Sequence, residues 1–171
     1  MLTDRDPGNL DWAAQTGMAR LDHAQALMAL GQRGQARDEV EAAERVLAPL
    51  WATDPGKLYW HIKVKGMLLV VRARVTGLTP DLQRRVADAV AAAGAAEAAG
   101  RRLDLDQSRV LAMLHVLQGD QAAEAGQRDP ARQAWQSAAR RVAVRAEGGD
   151  PAAMVVLAHA KVRMGDVQGA T

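Results

Sequence analysis

The side chains able to ligate a metal or move a proton are thinly spread along this chain. Its four histidines, His23, His61, His115 and His159, stand far apart, none within a helical turn of another and none in an H-E-x-x-H arrangement, so no metal site is expected. Cysteine is absent, which removes thiolate ligands, disulfides and a cysteine nucleophile. Ser108 and Ser137 lie outside any strand-turn-helix pattern that could raise a nucleophile. The carboxylate pairs Asp4/Asp6 and Asp104/Asp106 fall at the starts of helical patterns, where capping and the helix dipole account for them. Gly94 and Gly100 sit in an alanine-rich helical stretch with no strand before it and no Walker-type lysine after it, so they read as helix-packing glycines rather than a phosphate cradle. The parts of a catalytic centre are missing; the chain is expected not to be an enzyme and to hold no cofactor.

The cations are more concentrated. Lys57, Lys63, Lys65, Arg72 and Arg74 form the densest basic region, and Arg84-Arg85, Arg101-Arg102 and Arg140-Arg141 add doublets. A formal net charge of +2 is too small to imply a nucleic-acid partner by itself, even with a sequence pI of 9.4. The aromatic platforms of single-strand binders are not interleaved with these cations, and the basic residues read as a solvated face, with an acidic protein or nucleic acid as the minority alternatives. Trp12, Trp51, Trp60 and Trp135 read as core residues or wedges between helices.

The elements that position these residues are helical. With 171 residues, 49% hydrophobic and 25% charged, the chain can bury one sizeable core; aromatics are 3%, phenylalanine is absent, and alanine dominates several stretches, which favours closely packed helices. The apolar run Met67 to Val71 is far short of a bilayer span, and the first residues show no basic-then-apolar leader pattern. Asp6-Pro-Gly-Asn-Leu-Asp-Trp12 returns as Asp54-Pro-Gly-Lys-Leu-Tyr-Trp60, differing at two positions, and Asp150-Pro151 opens a further helical pattern. Gly31, Gly77, Gly126 and Gly165 each close a long helical pattern before a second one begins. Thr79-Pro80-Asp81 is the clearest start, with a capping hydroxyl, a proline in the first turn and an acid at the positive end of the dipole. Seven helices are predicted, near 9–30, 34–51, 56–76, 80–100, 105–125, 130–147 and 151–164. In Ile62-Lys-Val-Lys65 the alternation competes for a strand, but Leu58, Ile62, Gly66, Leu69 and Ala73 fall on one helical face.

These residues resemble the tetratricopeptide repeat (TPR) family, whose hairpins carry small residues where two helices cross. With Gly126 as the turn, Gly119, Ala131, Trp135 and Ala138 occupy the small, small, bulky and small positions; Ala24, Ala36, Val40 and Ala43 do so around Gly31, and Leu157, Ala158, Gly165, Asp166 and Ala170 fall in the same register at the end. Around Gly77 the match is weaker, with Val70 and Leu82 where small residues stand in the family. The resemblance implies an all-α, TPR-like stack of antiparallel hairpins, an α-solenoid spanning 1–171 as a single domain, with repeats near 6–53, 54–103 and 104–149 and a truncated 150–171. The period of about 48 residues exceeds the family's usual 34 and is similar to long-period arrays in bacterial signalling and transcription-regulating proteins.

That resemblance implies a scaffold for protein-protein interaction with a concave apolar groove. Projecting the family's concave face selects Met18, Leu21, Gln25 and Met28, then Met67, Val71 and Arg74, then Met113, Val116, Asp120, Glu124, Val155, His159 and Arg163. The lysines of the chaperone-tail clamp are replaced by Leu21, Met67, Val116 and Val155. The expected partner is a protein or peptide, or a neighbouring domain of the same protein; a small-molecule sensor and a nucleic-acid-binding helical domain are the alternatives. Apolar residues on several sides of 151–164 imply a weak homodimer or a chain that continues. A cytoplasmic location is expected, with a periplasmic part of a membrane-anchored regulator as the alternative.

Overall fold

A computed structural model of the chain describes residues 9–53 and 57–165. Among them there is no strand, and the backbone forms seven α-helices: α1 Leu10–Ala29, α2 Arg33–Leu47, α3 Lys65–Thr76, α4 Pro80–Ala98, α5 Leu105–Glu124, α6 Arg128–Glu147 and α7 Pro151–Arg163. Two segments depart from the expected helices. After Leu47 the chain tightens into a 3₁₀ turn, Ala48–Ala52, with Pro49 in its first turn, and α3 is entered through a π-helical turn, Tyr59–Val64. The repeat openings Asp6-Pro7-Gly8 and Asp54-Pro55-Gly56, together with Asp4, Asp166 and Ala170, lie outside the described residues.

The helix ends follow from side chains that satisfy exposed backbone groups. The Asn9 carboxamide accepts the Trp12 amide at 3.1 Å, Thr79 Oγ1 accepts the Leu82 amide at 3.3 Å, and Asp150 accepts the Ala152 and Ala153 amides at 2.9 and 3.2 Å. Asp104 and Gln107 form a reciprocal capping box, which gives the buried Gln107 carboxamide a partner. Each such cap contributes about 1 kcal/mol. At the other ends, Gly31 and Gly126 both adopt φ +75°. Their amides donate to Met28 and Ala123, and the next amides, of Gln32 and Gln127, reach back to Leu27 and Ala122. This is the same left-handed closure used twice. Gly100 closes α4 in the same way at φ +79°, and open space surrounds Gly94, so neither is the helix-packing glycine expected from the sequence.

The chain divides between Leu82 and Gln83 into two compact units. In the first, α1, α2 and α3 all touch one another. Val64, Leu68, Val71 and Val75, at helical spacing, enter its core with Leu21, Val40 and Leu47. The opposite face of α3, through Ile62, Gly66, Leu69 and Ala73, is also buried, so the alternating Ile62-Lys-Val-Lys65 pattern belongs to a helix covered on two sides. Val70 and Leu82, the two large residues at small positions of the register, are each 2% exposed. In the second unit α5, α6 and α7 likewise touch one another, and the core runs through Ala112, Ala131, Trp135, Val142 and Val156.

The crossings of α1 with α2 and of α5 with α6 share one register. Counted from Gly31 and Gly126, Gly17 corresponds to Ala112, Leu47 to Val142, Ala24 to Gly119 and Val40 to Trp135. A Cβ added to Gly17 would overlap the Leu47 side chain, and one added to Gly119 would overlap the Trp135 indole. The equivalent layers hold Ala24 with Val40 and Ala112 with Val142, all buried. Thus the larger the residue from the second helix, the smaller its counterpart on the first. Ala36 and Ala131, at the expected small positions of the second helices, are 0% and 1% exposed.

Gly119→Ala is expected to destabilise the protein by about 1–3 kcal/mol through overpacking against Trp135, whereas Gly94→Ala, in a helix interior with open space, is expected to stabilise it by about 0.4–1 kcal/mol. Urea unfolding of the two variants checks the opposite signs.

Candidate functional site

The two halves of the expected groove fall in different units and are described separately. In the first unit Leu21 and Val71 are 0% exposed and belong to the core, so they cannot line a solvent-facing floor. Met18, Met28 and Met67 are half-buried and pack against that core. In the second unit Val116 is buried and Met113 packs half-buried against the core. The cause is common to both: α3 touches α1 in the first unit and α7 touches α5 in the second, and each covers the side that a single-helix projection leaves open.

The polar members of the expected groove are brought together in pairs. Gln25 and Asp120 hold the same position before their turn glycines, and each receives an arginine, from α3 and from α7 respectively. Arg74 Nη1 donates to Gln25 Oε1 at 3.4 Å, and Arg163 Nε stands 3.1 Å from Asp120 Oδ1. Asp120 does more than Gln25, because the Trp135 indole N–H also donates to it at 3.1 Å. One carboxylate therefore joins α5, α6 and α7.

Around this junction the surface is concave. Asp120, Glu124, Trp135, Val162 and Arg163 line an open cleft of about 360 Å³. A second cleft of about 560 Å³ shares Ala123, Trp135 and Arg163 with it and continues past Gly126, Arg128, Arg132 and Met164. Together they form a trough over the Trp135 ring with charges of both signs on its walls. On α7, Val162 of the lining is 51% exposed, and the same helix exposes Val155 at 67%, Met154 at 50% and His159 between Val155 and Val162. Projection of the concave face includes Asp120, Glu124 and Arg163 of this lining, and Val155 and His159 of the exposed side of α7, but not Trp135, Val162, Met164, Arg128 or Arg132. The helical spacing of Arg128 to Arg132 and of Val155 to Val162 is the sequence signal that points to them.

The first unit carries a different arrangement where the 3₁₀ turn meets the π turn. Lys57 Nζ lies 4.4 Å from the centre of the Trp60 ring system, Lys63 Nζ 5.0 Å from that of Tyr59 and Lys65 Nζ 5.8 Å from that of Trp51. Cations and aromatic rings are therefore interleaved here, against the reading of the linear sequence. Trp51 and Trp60 also pack against the core of the unit. His61 Nε2 sits 3.3 Å from both Thr53 Oγ1 and Thr53 O, tying the two turns together.

Among the described residues no group of three or more His, Cys, Asp or Glu side chains is arranged to hold a metal ion, and no helix is long and apolar enough to cross a membrane. Comparison with known protein families, characterised proteins and solved structures finds no match.

Two perturbed titrating groups lie away from the trough, where Arg141 of α6 makes a two-pronged pair with Glu97 of α4 at 2.7 and 2.9 Å. The hydrogen bond from Arg141 holds the Glu97 carboxyl below its ordinary value. His115 of α5 is pushed below its ordinary 6.5, chiefly by burial and then by the charge of Arg141, with Arg140 adding to the effect and the Gln118 hydrogen bond and Glu97 opposing it. The unfolded chain therefore takes up the His115 proton before the folded one does. Stability falls as pH drops through 6.5 towards the depressed folded value. The Glu97 contribution, present above its ordinary 4.5, is lost only as pH falls further through its own lowered value. Chemical denaturation between pH 7.5 and 5.5 is expected to show a loss of stability in the wild type that His115→Gln reduces.

Proposed function

We propose that this chain is a non-catalytic protein-interaction module built from TPR-like hairpins, and that the trough over Trp135 receives a peptide or helical segment of a partner protein. The observation that carries the reading is the trough itself together with the exposed Val155 and Val162 of α7. Val162 lines the first cleft with Asp120, Glu124 and Arg163, and Val155 stands two turns before it on α7; apolar side chains half or more in solvent next to charged ones match the common build of protein interfaces, an apolar centre with a polar rim. The identical glycine closures and the volume-matched crossings of α1 with α2 and α5 with α6 support the family resemblance. A solenoid stacking of the hairpins, a bacterial signalling or regulatory setting and a cytoplasmic location belong to the same proposal and rest on that resemblance.

The clefts are open rather than enclosed, which favours a polypeptide laid along the surface over a small molecule surrounded by protein. Acids alternate with arginines along them, which disfavours a nucleic-acid backbone at this place. The Asp120 carboxylate, already engaged by Trp135 and Arg163, holds the wall of the trough in one shape before any partner arrives, and preformed geometry lowers the ordering cost of binding.

Selection of displayed peptides against the wild-type protein is expected to return ligands that bind in solution. A Val155→Glu, Val162→Glu double variant is expected to lose at least about tenfold in affinity for them, or about 1.4 kcal/mol, with unchanged helicity, because both side chains already face water. Failure to select any peptide that binds in solution, or undiminished binding by the variant, overturns this reading of the trough.

A further inference from the structure

The junction of the 3₁₀ and π turns in the first unit carries an inference separate from the trough. Lys57, His61 and Lys65 recur at four-residue steps along the entry to α3; the His61 amide donates to the Lys57 carbonyl one turn back, and Lys65, whose amide reaches back to Trp60, follows His61 by just under one π turn, so the three hold neighbouring positions on one side. Trp51 and Thr53 of the preceding turn lie on that side, since Lys65 stands over Trp51 and His61 contacts Thr53. Both tryptophans are anchored by packing against the core, so the rings under Lys57 and Lys65 are fixed and the two ammonium groups are held in place above them.

Charge is unbalanced here in a way it is not elsewhere on the same helix. The sequence holds no Asp or Glu between Asp54 and Asp81. Arg72 is nevertheless paired with Glu44 from α2, and Arg74 meets Gln25 from α1. Among the described residues, Lys57 and Lys65 have aromatic rings beneath them and no carboxylate partner. A cation–π contact at an exposed site contributes only about 0.5–1 kcal/mol and does not neutralise the charge. The positive potential of this face is therefore available to an anion from outside. π turns are rare and recur at functional sites, which is consistent with a surface kept for recognition.

We propose that this face, formed by Lys57, His61, Lys65, Trp51 and Trp60, docks an acidic peptide segment, its carboxylates taking the pinned ammonium groups. Two features favour carboxylates on a peptide over a nucleic-acid strand. Single-strand binders need free ring faces on which bases stack, and here Lys57 and Lys65 occupy them. Strong nucleic-acid binding also recruits roughly 6–10 phosphate contacts, whereas this face offers two lysines and a histidine. The half-buried tryptophans do not project as a lipid-inserting anchor would.

The test is fluorescence anisotropy of a labelled oligoglutamate peptide titrated with the full chain at low and near-physiological salt, with the emission of Trp51 and Trp60 as a second readout. The wild type is expected to bind, more weakly as salt rises. Lys57→Met with Lys65→Met, which keeps a side chain over each ring, is expected to lose at least about tenfold, and the corresponding pair of arginine substitutions is expected to retain binding. Arg33→Ala with Arg37→Ala, the same charge removed from α2 of the same unit, is expected to change affinity by less than about twofold. Absence of peptide binding, equal loss in the Arg33/Arg37 variant, or no loss in the methionine variant overturns the proposal. Tighter lysine-dependent binding of single-stranded oligothymidine or of phosphatidylserine vesicles also overturns it, in favour of nucleic acid or membrane. The trough over Trp135 is untouched by these variants, so the Val155/Val162 experiment stands or falls separately.

Discussion

Helix crossings set by one small residue against one large one are the constraint on which both units depend. A turn glycine in the left-handed region returns the second helix immediately, and the backbones can approach only where the first helix presents little or no side chain. Gly17 beneath Leu47 and Gly119 beneath Trp135 are the extreme cases, since even a methyl group there would overlap its neighbour. Everything further from the axis of the hairpin inherits that separation. α3 can touch α1 and α7 can touch α5 because the helix between them does not hold them apart, and Asp120 can reach both Trp135 and Arg163 because three helices converge within hydrogen-bond range.

The polar bridges are the second consequence. In the first unit a neutral carboxamide meets Arg74 at 3.4 Å; in the second a carboxylate meets Arg163 and an indole N–H. Both bridges involve a charged group, but the first is a single long bond at an exposed place, whereas Asp120 is held from two helices at 3.1 Å and its attraction to Arg163 joins opposite charges. The second junction is accordingly the better fixed of the two, and it borders the open trough. Among the described residues, the first unit sets Lys57 and Lys65, at the entry to α3, over aromatic rings.

Much of this organisation was legible in the linear sequence, and the parts that were not share a physical cause. Gly31, Gly126, Thr79, Asp104 and Asp150 act through the backbone next to them, so their roles as stops and caps could be read locally. Ala36, Gly119, Ala131 and Trp135 could be placed because two hairpins repeat one register. Leu21, Val71 and Val116 could not, because exposure depends on a third helix that projection of a single helix ignores. The π turn escaped notice because a reading at 3.6 residues per turn has no place for a wider one. The contact of Lys65 with Trp51 joins residues of different turns and had no signal in the spacing along one helix.

The matched crossings also set an order on sequence change. A layer of Gly17 and Leu47 in one hairpin and of Ala112 and Val142 in the other fill comparable space, so each composition is a stable end point for that layer. Passing from the first to the second takes two substitutions, and the intermediates are not equivalent. Shortening Leu47 to Val first leaves a small void, at about 1 kcal/mol. Adding a methyl at Gly17 first drives it into a side chain that closely packed helices leave little room to move, at about 1–3 kcal/mol. Across a lineage, the large residue is therefore expected to shrink before the small one grows, so that the two positions covary with a direction in time.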